Sequence, residues 1–285
     1  MTDDGLSLDH VGFMVRDLDA GEKRWRNLGF QVAARSPQMG ATPDGATMAP
    51  WATANHCVMF ERGYLELIGI TDPAKHNPWT DFLNRFEGIH ITAFRCLEAD
   101  PAYAALSQRI DGFDPPLQRR RDAPFGDGTR EFRFRNIFSQ DALFPEGRFI
   151  VIEHQTPEVI WQPSLIAHPN GAVAFEEVVF CAEPCSPTLG RLEAIVGIAA
   201  DDGCIYLPGG GVATVLSPTD YAVRFGGAMA PDLPCAAAVV VGVDDLTKPR
   251  TCLAEAGIVP EQTADGTLWV PAEQANGGVV AFKRV

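Results

Sequence analysis

The chain has 285 residues, of which 46% are hydrophobic and 21% are charged. This composition is typical of a globular protein with ample apolar material for a core, and it excludes a disordered, collagen-like or coiled-coil chain. The formal net charge of −14 argues against nucleic acid as a partner, because an acidic surface repels phosphate groups. No apolar run reaches the roughly 18 residues that a membrane-spanning helix needs, so we expect no membrane association.

The cysteines and the N-terminus predict a cytoplasmic protein. The seven cysteines are scattered and odd in number, which favours reduced thiols over a disulfide framework or a zinc site. The first ten residues, MTDDGLSLDH, lack the basic and apolar regions of a secretory signal.

The chain begins with a strand-like run over residues 8–15, and a helix follows it. Asp17 or Asp19 would cap this helix, and Gly29 would end it. After a loop rich in Gly and Pro come two further strand-like runs, which a short turn joins.

The same order of elements recurs three more times. The later copies begin with GIHITAFRC, with VAFEEVVFC and with the apolar run Ala236–Val243. The chain therefore contains four units, each with a strand, a helix and two or three further strands. Two paired units would form a barrel-like half with a concave interior. A linker rich in Pro and Gly divides the halves, so we predict domains 1–160 and 161–285.

Histidines and basic residues are concentrated in the predicted first half. All six histidines lie within the first 168 residues, and 17 of the 23 Lys and Arg residues lie within the first 164. Histidine is the commonest neutral metal ligand and proton carrier of proteins. We therefore expect metal or acid–base chemistry in the first half.

Four ionisable residues interrupt apolar strands of the first two units. His10 and His90 lie in the first strand of their units, whereas Glu66 and Glu153 lie in the last strand. Such groups are costly inside a sheet unless they are paired or bind a metal. Two imidazoles and two carboxylates suit Zn²⁺, Ni²⁺, Fe²⁺ or Mn²⁺. The alternative for each residue is a hydrogen-bonded structural role.

The strand register leaves the fourth ligand open. Glu153 shares one strand face with Phe149 and Val151, and its neighbour His154 points to the other face. A slip of one residue would exchange the two side chains. Either Glu153 or His154 could therefore be the fourth ligand, or the site could have three ligands and an open position.

Other polar residues are candidate substrate contacts. His56 and His154 lie in strands, and the predicted hairpin carries the consecutive arginines 119–121 and, on one strand face, Arg133 and Arg135. Arginines can bind a carboxylate or phosphate bidentately, so this hairpin suits a small anionic substrate. A solvated edge strand that charge protects from aggregation is the alternative.

The segment LDHVGFMVRDLDAGEKRWRNLGF, the run GYLELIGI and the repeated unit resemble the vicinal oxygen chelate superfamily. This superfamily includes glyoxalase I, type I extradiol dioxygenases and bleomycin-resistance proteins, and the glyoxalase-like branch is the most similar. The resemblance implies an α+β fold of four βαβββ modules paired into two half-barrel-like domains. Carried over from glyoxalase I-like members, the metal ligands would be His10, Glu66, His90 and Glu153.

The resemblance implies a metal-dependent enzyme that binds a small oxygen-bearing substrate through a divalent ion. Its chemistry would be of lyase or isomerase type on an enediolate, with Glu153 or Glu66 moving the proton. An extradiol-type dioxygenase and a metal-free small-molecule binding protein of the bleomycin-resistance kind are the alternatives. Val178 and Ala238 stand at the position of His10 in units three and four, so we expect that half to be structural, a lid or a homodimer surface.

Overall fold

The computed structural model describes residues 5–44 and 46–285. Residues 1–4 lie outside the described residues. They belong to the N-terminal segment that was predicted not to be a secretory signal. Over the described residues, no helix is long and apolar enough to cross a membrane.

The first half of the chain forms one eight-stranded sheet, here called sheet A. Its helices and strands, in chain order, are β1 (Ser7–Val15), α1 (Leu18–Asn27), β2 (Ser36–Ala41), β3 (Met48–Met59), β4 (Tyr64–Ile70), α2 (Thr80–Arg85), β5 (Gly88–Cys96), α3 (Ala99–Leu106), β6 (Leu117–Phe125), β7 (Gly128–Phe138) and β8 (Arg148–His154). The strand order across sheet A is β2-β3-β4-β1-β5-β8-β7-β6.

The second half forms a seven-stranded sheet, here called sheet B. Its elements are β9 (Ala172–Cys181), α4 (Cys185–Val196), β10 (Cys204–Tyr206), β11 (Val212–Leu216), α5 (Pro218–Arg224), β12 (Cys235–Val243), α6 (Thr247–Glu255), β13 (Glu261–Gln262), β14 (Leu268–Val270) and β15 (Val279–Arg284). The strand order across sheet B is β10-β11-β9-β12-β15-β14-β13.

Each sheet consists of two modules joined at their first strands. Within a module the first strand lies parallel to the last, as β1 does to β4 and β5 to β8. Between modules the first strands pair antiparallel, β1 with β5 and β9 with β12. The α+β fold with four repeated modules is therefore confirmed, although the third module is one strand short and has helix α5 after β11.

Helix α1 shows why the repeated pattern folds as it does. Asp17 caps the helix, because its side chain accepts a hydrogen bond from the backbone N–H of Ala20 at 3.0 Å. Leu18, Gly21 and Trp25 are buried, which is the helical spacing of one apolar face. Of the two predicted caps, Asp17 is the residue that makes the bond.

The two sheets share one hydrophobic core. Phe13 and Phe94 of sheet A and Phe180 and Phe282 of sheet B belong to the same cluster, and each is at most 1% exposed. This cluster also takes in apolar side chains of α1, α3, α4 and α6. The division at residue 160 stays a prediction, since the halves do not enclose separate cores.

The face of sheet A that points away from the shared core, here called the inner face, is covered at both ends. Apolar inner-face side chains such as Ile68 and Ile152 pack against Trp79 and Phe82 of the α2 region. At the other end, the linker segment 157–166 packs against further inner-face residues. The side chains between these two clusters form the candidate site.

Two β-bulges interrupt the pairing of β1 with β5. Leu8 pairs with Phe94 and His10 pairs with Ala93, so Asp9 is an extra residue on β1. On β5 the extra residue is His90, between the paired residues 89 and 91. A bulge shifts the strict alternation of side chains and turns one of them to a new direction.

Gly277→Ala is expected to destabilise the fold by at least about 2 kcal/mol. Gly277 has φ +86°, and a Cβ atom there would lie 1.9 Å from the backbone oxygen of Glu87, the residue before β5 of sheet A. Gly190→Ala is the matched control, because a Cβ atom on Gly190 of α4 would meet nothing within 4 Å beyond the backbone of its own helix. Urea unfolding measures both, and a Gly277→Ala variant as stable as Gly190→Ala would contradict the packing described.

Candidate functional site

Asp9 is a fully buried carboxylate that three basic side chains surround. Its oxygens lie 2.7 Å from Nδ1 of His10, 3.0 Å from Nε2 of His154 and 2.8 Å from Nε of Arg95. Burial raises the pKa of Asp9, but the charge and hydrogen bonds of His154 and His10 outweigh burial and hold the pKa well below its usual value. Asp9 is therefore ionised.

An ionised Asp9 fixes where the two imidazoles carry their protons. A carboxylate only accepts hydrogen bonds, so Nδ1 of His10 and Nε2 of His154 must each carry a hydrogen. In the neutral rings, Nε2 of His10 and Nδ1 of His154 then hold lone pairs. No hydrogen bond from the described residues reaches Nε2 of His10, and Nδ1 of His154 is buried without a partner.

Aromatic rings enclose this cluster of Asp9, His10, His154 and Arg95, here called the Asp9 cluster. The ring of Tyr64 stacks on His10, with 4.2 Å between centroids. Trp161, from the linker, lies 5.0 Å from the ring of His154 and 4.4 Å from the guanidinium of Arg95. The linker between the two halves therefore covers the cluster.

Glu66 lies beside the Asp9 cluster on the inner face. It follows Tyr64 by two residues on β4, and its Oε1 accepts a hydrogen bond from Nδ2 of Asn55 at 2.6 Å. Burial and the negative charges of Asp9 and Glu66 raise the pKa of Tyr64 well above its usual value. Burial and Glu66 also raise the pKa of the Cys57 thiol to about 12, so this thiol is not a ready nucleophile.

Glu153 points away from the inner face. Its Oε2 accepts a hydrogen bond from the backbone N–H of Ala99 at 2.8 Å, where α3 begins, and its carboxylate neutralises the positive end of that helix. Of the two alternatives that the register left open, His154 is the residue on the inner face. Glu153 is thus placed as a helix-capping group and not beside Glu66.

His90 is also separated from the Asp9 cluster. Its ring stacks on Phe86, with 4.1 Å between centroids, and lies near Phe82. Nε2 is 2.9 Å from the backbone oxygen of Phe86, and Nδ1 is buried without a partner. The β-bulge explains this placement, because His90 is the extra residue on β5 and lies outside the side-chain alternation of that strand.

The predicted ligands do not assemble a metal site. His10 and Glu66 share the inner face, whereas His90 and Glu153 lie elsewhere. Within residues 5–44 and 46–285, no group of three or more His, Cys, Asp and Glu side chains is placed to hold a metal ion. The residues present therefore do not fit the divalent ion that the resemblance implies, since even catalytic zinc sites use three protein ligands.

The other predicted substrate contacts lie outside the inner face. His56 faces the shared core, with Nδ1 2.8 Å from the backbone oxygen of Ala33. Arg135 binds Asp100 bidentately at 2.7 and 2.8 Å, and Arg133 is exposed on the same outer face of β7. Of the four predicted substrate-binding residues, His154 alone joins the Asp9 cluster.

Sheet B carries an ion pair at the position that corresponds to His10. Glu176 is the extra residue of a bulge on β9, and Glu177 follows it as His10 follows Asp9. Both oxygens of Glu177 bind Arg224 at 2.7 Å. The alignment of Val178 with His10 was therefore wrong by one residue, and Glu177 in this position is already paired.

A model of the glyoxalase-like domain matches residues 8–196 of the chain. The chain belongs to the glyoxalase-like family. The matched segment contains the Asp9 cluster, Glu66 and the linker that covers them. A search of curated proteins finds no match.

Solved structures share this fold over nearly the whole chain. A hypothetical protein from Staphylococcus aureus aligns with a TM-score of 0.64 at 10% identity, covering 98% of this chain and 99% of its own. A mutant of 4-hydroxymandelate synthase from Streptomyces coelicolor aligns with a TM-score of 0.62 at 13% identity, covering 99% and 93%. A fusion of a xylose isomerase-like TIM barrel with 4-hydroxyphenylpyruvate dioxygenase gives 0.58 at 10% identity, covering 98% and 49%. At these identities the likeness shows a shared fold alone.

His90→Phe is expected to weaken the loss of stability in mild acid. Burial lowers the pKa of His90 from 6.5 to about 4, so the unfolded chain binds a proton that the folded protein excludes. The free energy of unfolding should therefore fall as the pH drops from 6.5 towards 4, by up to about 3 kcal/mol. Urea unfolding across this range should show a flatter profile for His90→Phe.

The exposed His76 supplies the control for this titration. His76→Phe should keep the pH profile of the unaltered protein, because the side chain that it replaces is exposed and does not belong to the buried core. A His90→Phe profile as steep as that of His76→Phe would contradict the burial of a neutral His90.

Titration with Zn²⁺, Ni²⁺, Fe²⁺ or Mn²⁺ is expected to show no stoichiometric binding, because the predicted ligands do not meet. Calorimetry on protein dialysed against a chelator checks this. Stoichiometric uptake that His10→Ala abolishes would contradict the placement and would favour the metal-dependent interpretation.

Proposed function

We propose that this glyoxalase-like protein is an enzyme of lyase or isomerase type that moves a proton on a small oxygen-bearing substrate. The reaction would begin by removing a proton from a hydroxyl-bearing carbon next to a carbonyl group, and the electron pair of the broken C–H bond would form an enediolate. The observation that carries the proposal is the bond between Asp9 and Nδ1 of His10, because it leaves Nε2 of His10 as a base.

His10 would be the general base. A buried carboxylate that accepts from one ring nitrogen holds the imidazole in one tautomer and stabilises its protonated form. Arg95 supplies a positive charge and His154 a further hydrogen bond, and both stabilise the ionised form of Asp9 in its buried position. The proton from the substrate carbon would pass to Nε2 of His10, and the electron pair would move onto the carbonyl oxygen.

Tyr64 would stabilise that oxygen. Its ring stacks on His10, and its raised pKa keeps the hydroxyl protonated, so it can donate a hydrogen bond to the developing negative charge. Glu66 stays a candidate for returning the proton to the substrate, since it lies on the inner face with one oxygen held by Asn55. The glyoxalase-like fold favours a small molecule as the substrate. The roles proposed for His10, Tyr64 and Glu66 include no metal-dependent step.

The metal-free binding protein is the second candidate. It is favoured by the separation of His90 and Glu153 from His10, which leaves an inner face lined by aromatic rings and, over the described residues, without a ligand set. This candidate predicts binding without proton exchange, so one experiment decides between the two. The extradiol-type dioxygenase has less support, because it needs two histidines and a carboxylate around one ion, whereas Asp9 bonds directly to the rings of His10 and His154.

The test is exchange of carbon-bound protons in D₂O, followed by proton NMR with hydroxyacetone and similar 2-hydroxy carbonyl compounds as probes. The unaltered protein should accelerate exchange next to the carbonyl group. His10→Gln should lower the rate roughly 100-fold or more, which is the usual contribution of a general base. Asp9→Asn should lower it as well, since an amide can donate to Nδ1 and reverse the tautomer.

His76→Gln serves as the control, because His76 is exposed and outside the inner face. Its exchange rate should equal that of the unaltered protein. A His10→Gln variant with an undiminished rate would refute the role of His10. Probe binding without exchange in the unaltered protein would favour the binding protein instead.

A further inference from the structure

Two arginines of the edge strand β6 lie on the inner face. Arg119 pairs across the strands with Phe134, and Arg121 pairs with Phe132. The guanidinium of Arg121 lies 5.5 Å from the centroid of the Phe132 ring, and that ring stacks near His154 of the Asp9 cluster. The side chains of Arg119 and Arg121 are therefore on the same side of sheet A as the candidate site.

The inner arginines differ from the outer ones in their partners. On the outer face, Arg120 lies 3.7 Å from a carboxylate oxygen of Glu131, and Arg135 lies 2.7 Å from Asp100. Among the described residues, no carboxylate lies within 4.0 Å of Arg119 or Arg121. Both inner side chains are nevertheless partly buried, as Arg135 is, but unlike Arg135 they lack an anionic partner among the described residues.

This arrangement is costly for the free protein. Removing a cation from water without an opposite charge is unfavourable, and burial lowers the pKa of Arg119. The chain has 37 Asp and Glu residues against 23 Lys and Arg residues, so carboxylates are not scarce. An anion that is not part of the chain would offset the cost.

Arg121 is also held in place near the proposed catalytic groups. Its Nη1 donates a hydrogen bond to Oγ of Ser36 at 3.0 Å, which links β6 to β2 at the opposite edge of sheet A. Its positive charge partly opposes the rise that burial causes in the pKa of Tyr64. Phe132, whose ring lies beside this guanidinium, belongs to the same buried cluster as Tyr64, so Arg121 and Tyr64 border the same part of the inner face.

We propose that Arg119 and Arg121 bind the oxyanion of the substrate, a carboxylate or a phosphate, while its reacting carbon faces His10. The guanidinium groups can donate paired hydrogen bonds to such a group, and the rings of Phe132 and Phe134 lie beside them for an apolar part of the molecule. The proposal rests on the proposed function for the reaction, whereas the binding of the anion is measured independently of it.

The test is calorimetric titration of the full chain with three probes that share a phenyl ring. Phenyllactate carries a carboxylate, phenyl phosphate carries a phosphate, and phenyllactamide is neutral. The unaltered protein should bind at least one anion, and phenyllactamide should bind roughly 10-fold more weakly or not at all. Arg121→Met and Arg119→Met should each weaken anion binding by roughly 10-fold or more, the loss expected for a charge-assisted hydrogen bond.

Arg120→Met is the matched control, because Arg120 is on the same strand and points outward. It should change the affinity by less than about twofold, since exposed charges contribute little. Arg121→Lys keeps a positive charge at this position, so it should recover part of the affinity that Arg121→Met loses. This recovery distinguishes loss of charge from misfolding as the cause of weaker binding. Circular dichroism should give all four variants the spectrum of the unaltered protein.

The outcomes separate this inference from the proposed function. Binding of the anionic probes by the unaltered protein, without exchange of carbon-bound protons, would keep this inference and overturn the proposed function. Equal affinity in Arg120→Met and Arg121→Met, or equal binding of phenyllactamide and phenyllactate, would overturn the anion site and leave the exchange test untouched. Whichever of phenyllactate and phenyl phosphate binds more tightly identifies the oxyanion.

Discussion

The buried negative charge of Asp9 is the constraint on which the candidate site depends. An ionised carboxylate without solvent needs several donors at once, and here they come from three strands: His10 on β1, Arg95 on β5 and His154 on β8. These strands belong to both modules of sheet A, so the charge links the modules as well as fixing the imidazoles. The hydrogen bond from Nδ1 of His10 helps to offset the cost of burying Asp9, and it also leaves Nε2 of His10 without a hydrogen bond from the described residues.

Repetition made the fold predictable from the sequence, because strand and helix patterns recur in order four times. The site was less predictable. Strand alternation predicts the direction of a side chain only where each residue pairs with one residue of the neighbouring strand, and a β-bulge interrupts this pairing. The bulge at Asp9 brings two successive polar side chains, Asp9 and His10, to one cluster, and the bulge at His90 turns that residue towards Phe86. An aspartate next to His10 inside an apolar strand was a visible signal, but its buried contacts with Arg95 come from tertiary structure alone.

Strand alternation was also insufficient for the arginine-rich hairpin of β6 and β7. Alternation correctly separates Arg120 from its neighbours, and it places Arg133 and Arg135 together on one face of β7. It does not reveal which face turns inward, since both faces of an edge hairpin carry charges in the sequence. The cross-strand pairs of Arg119 with Phe134 and Arg121 with Phe132 decide this, and they reverse the choice of arginines that the sequence favoured.

Trp161 gives the linker a role beyond joining two halves. Its indole N–H donates to the backbone oxygen of Phe60 at 3.0 Å, and its ring covers Arg95 and His154. Sheet A ends at residue 154, before this cover begins. A first half cut at residue 160 would lose Trp161 and so expose Arg95 and His154, which means that the site on sheet A depends on residues beyond that sheet.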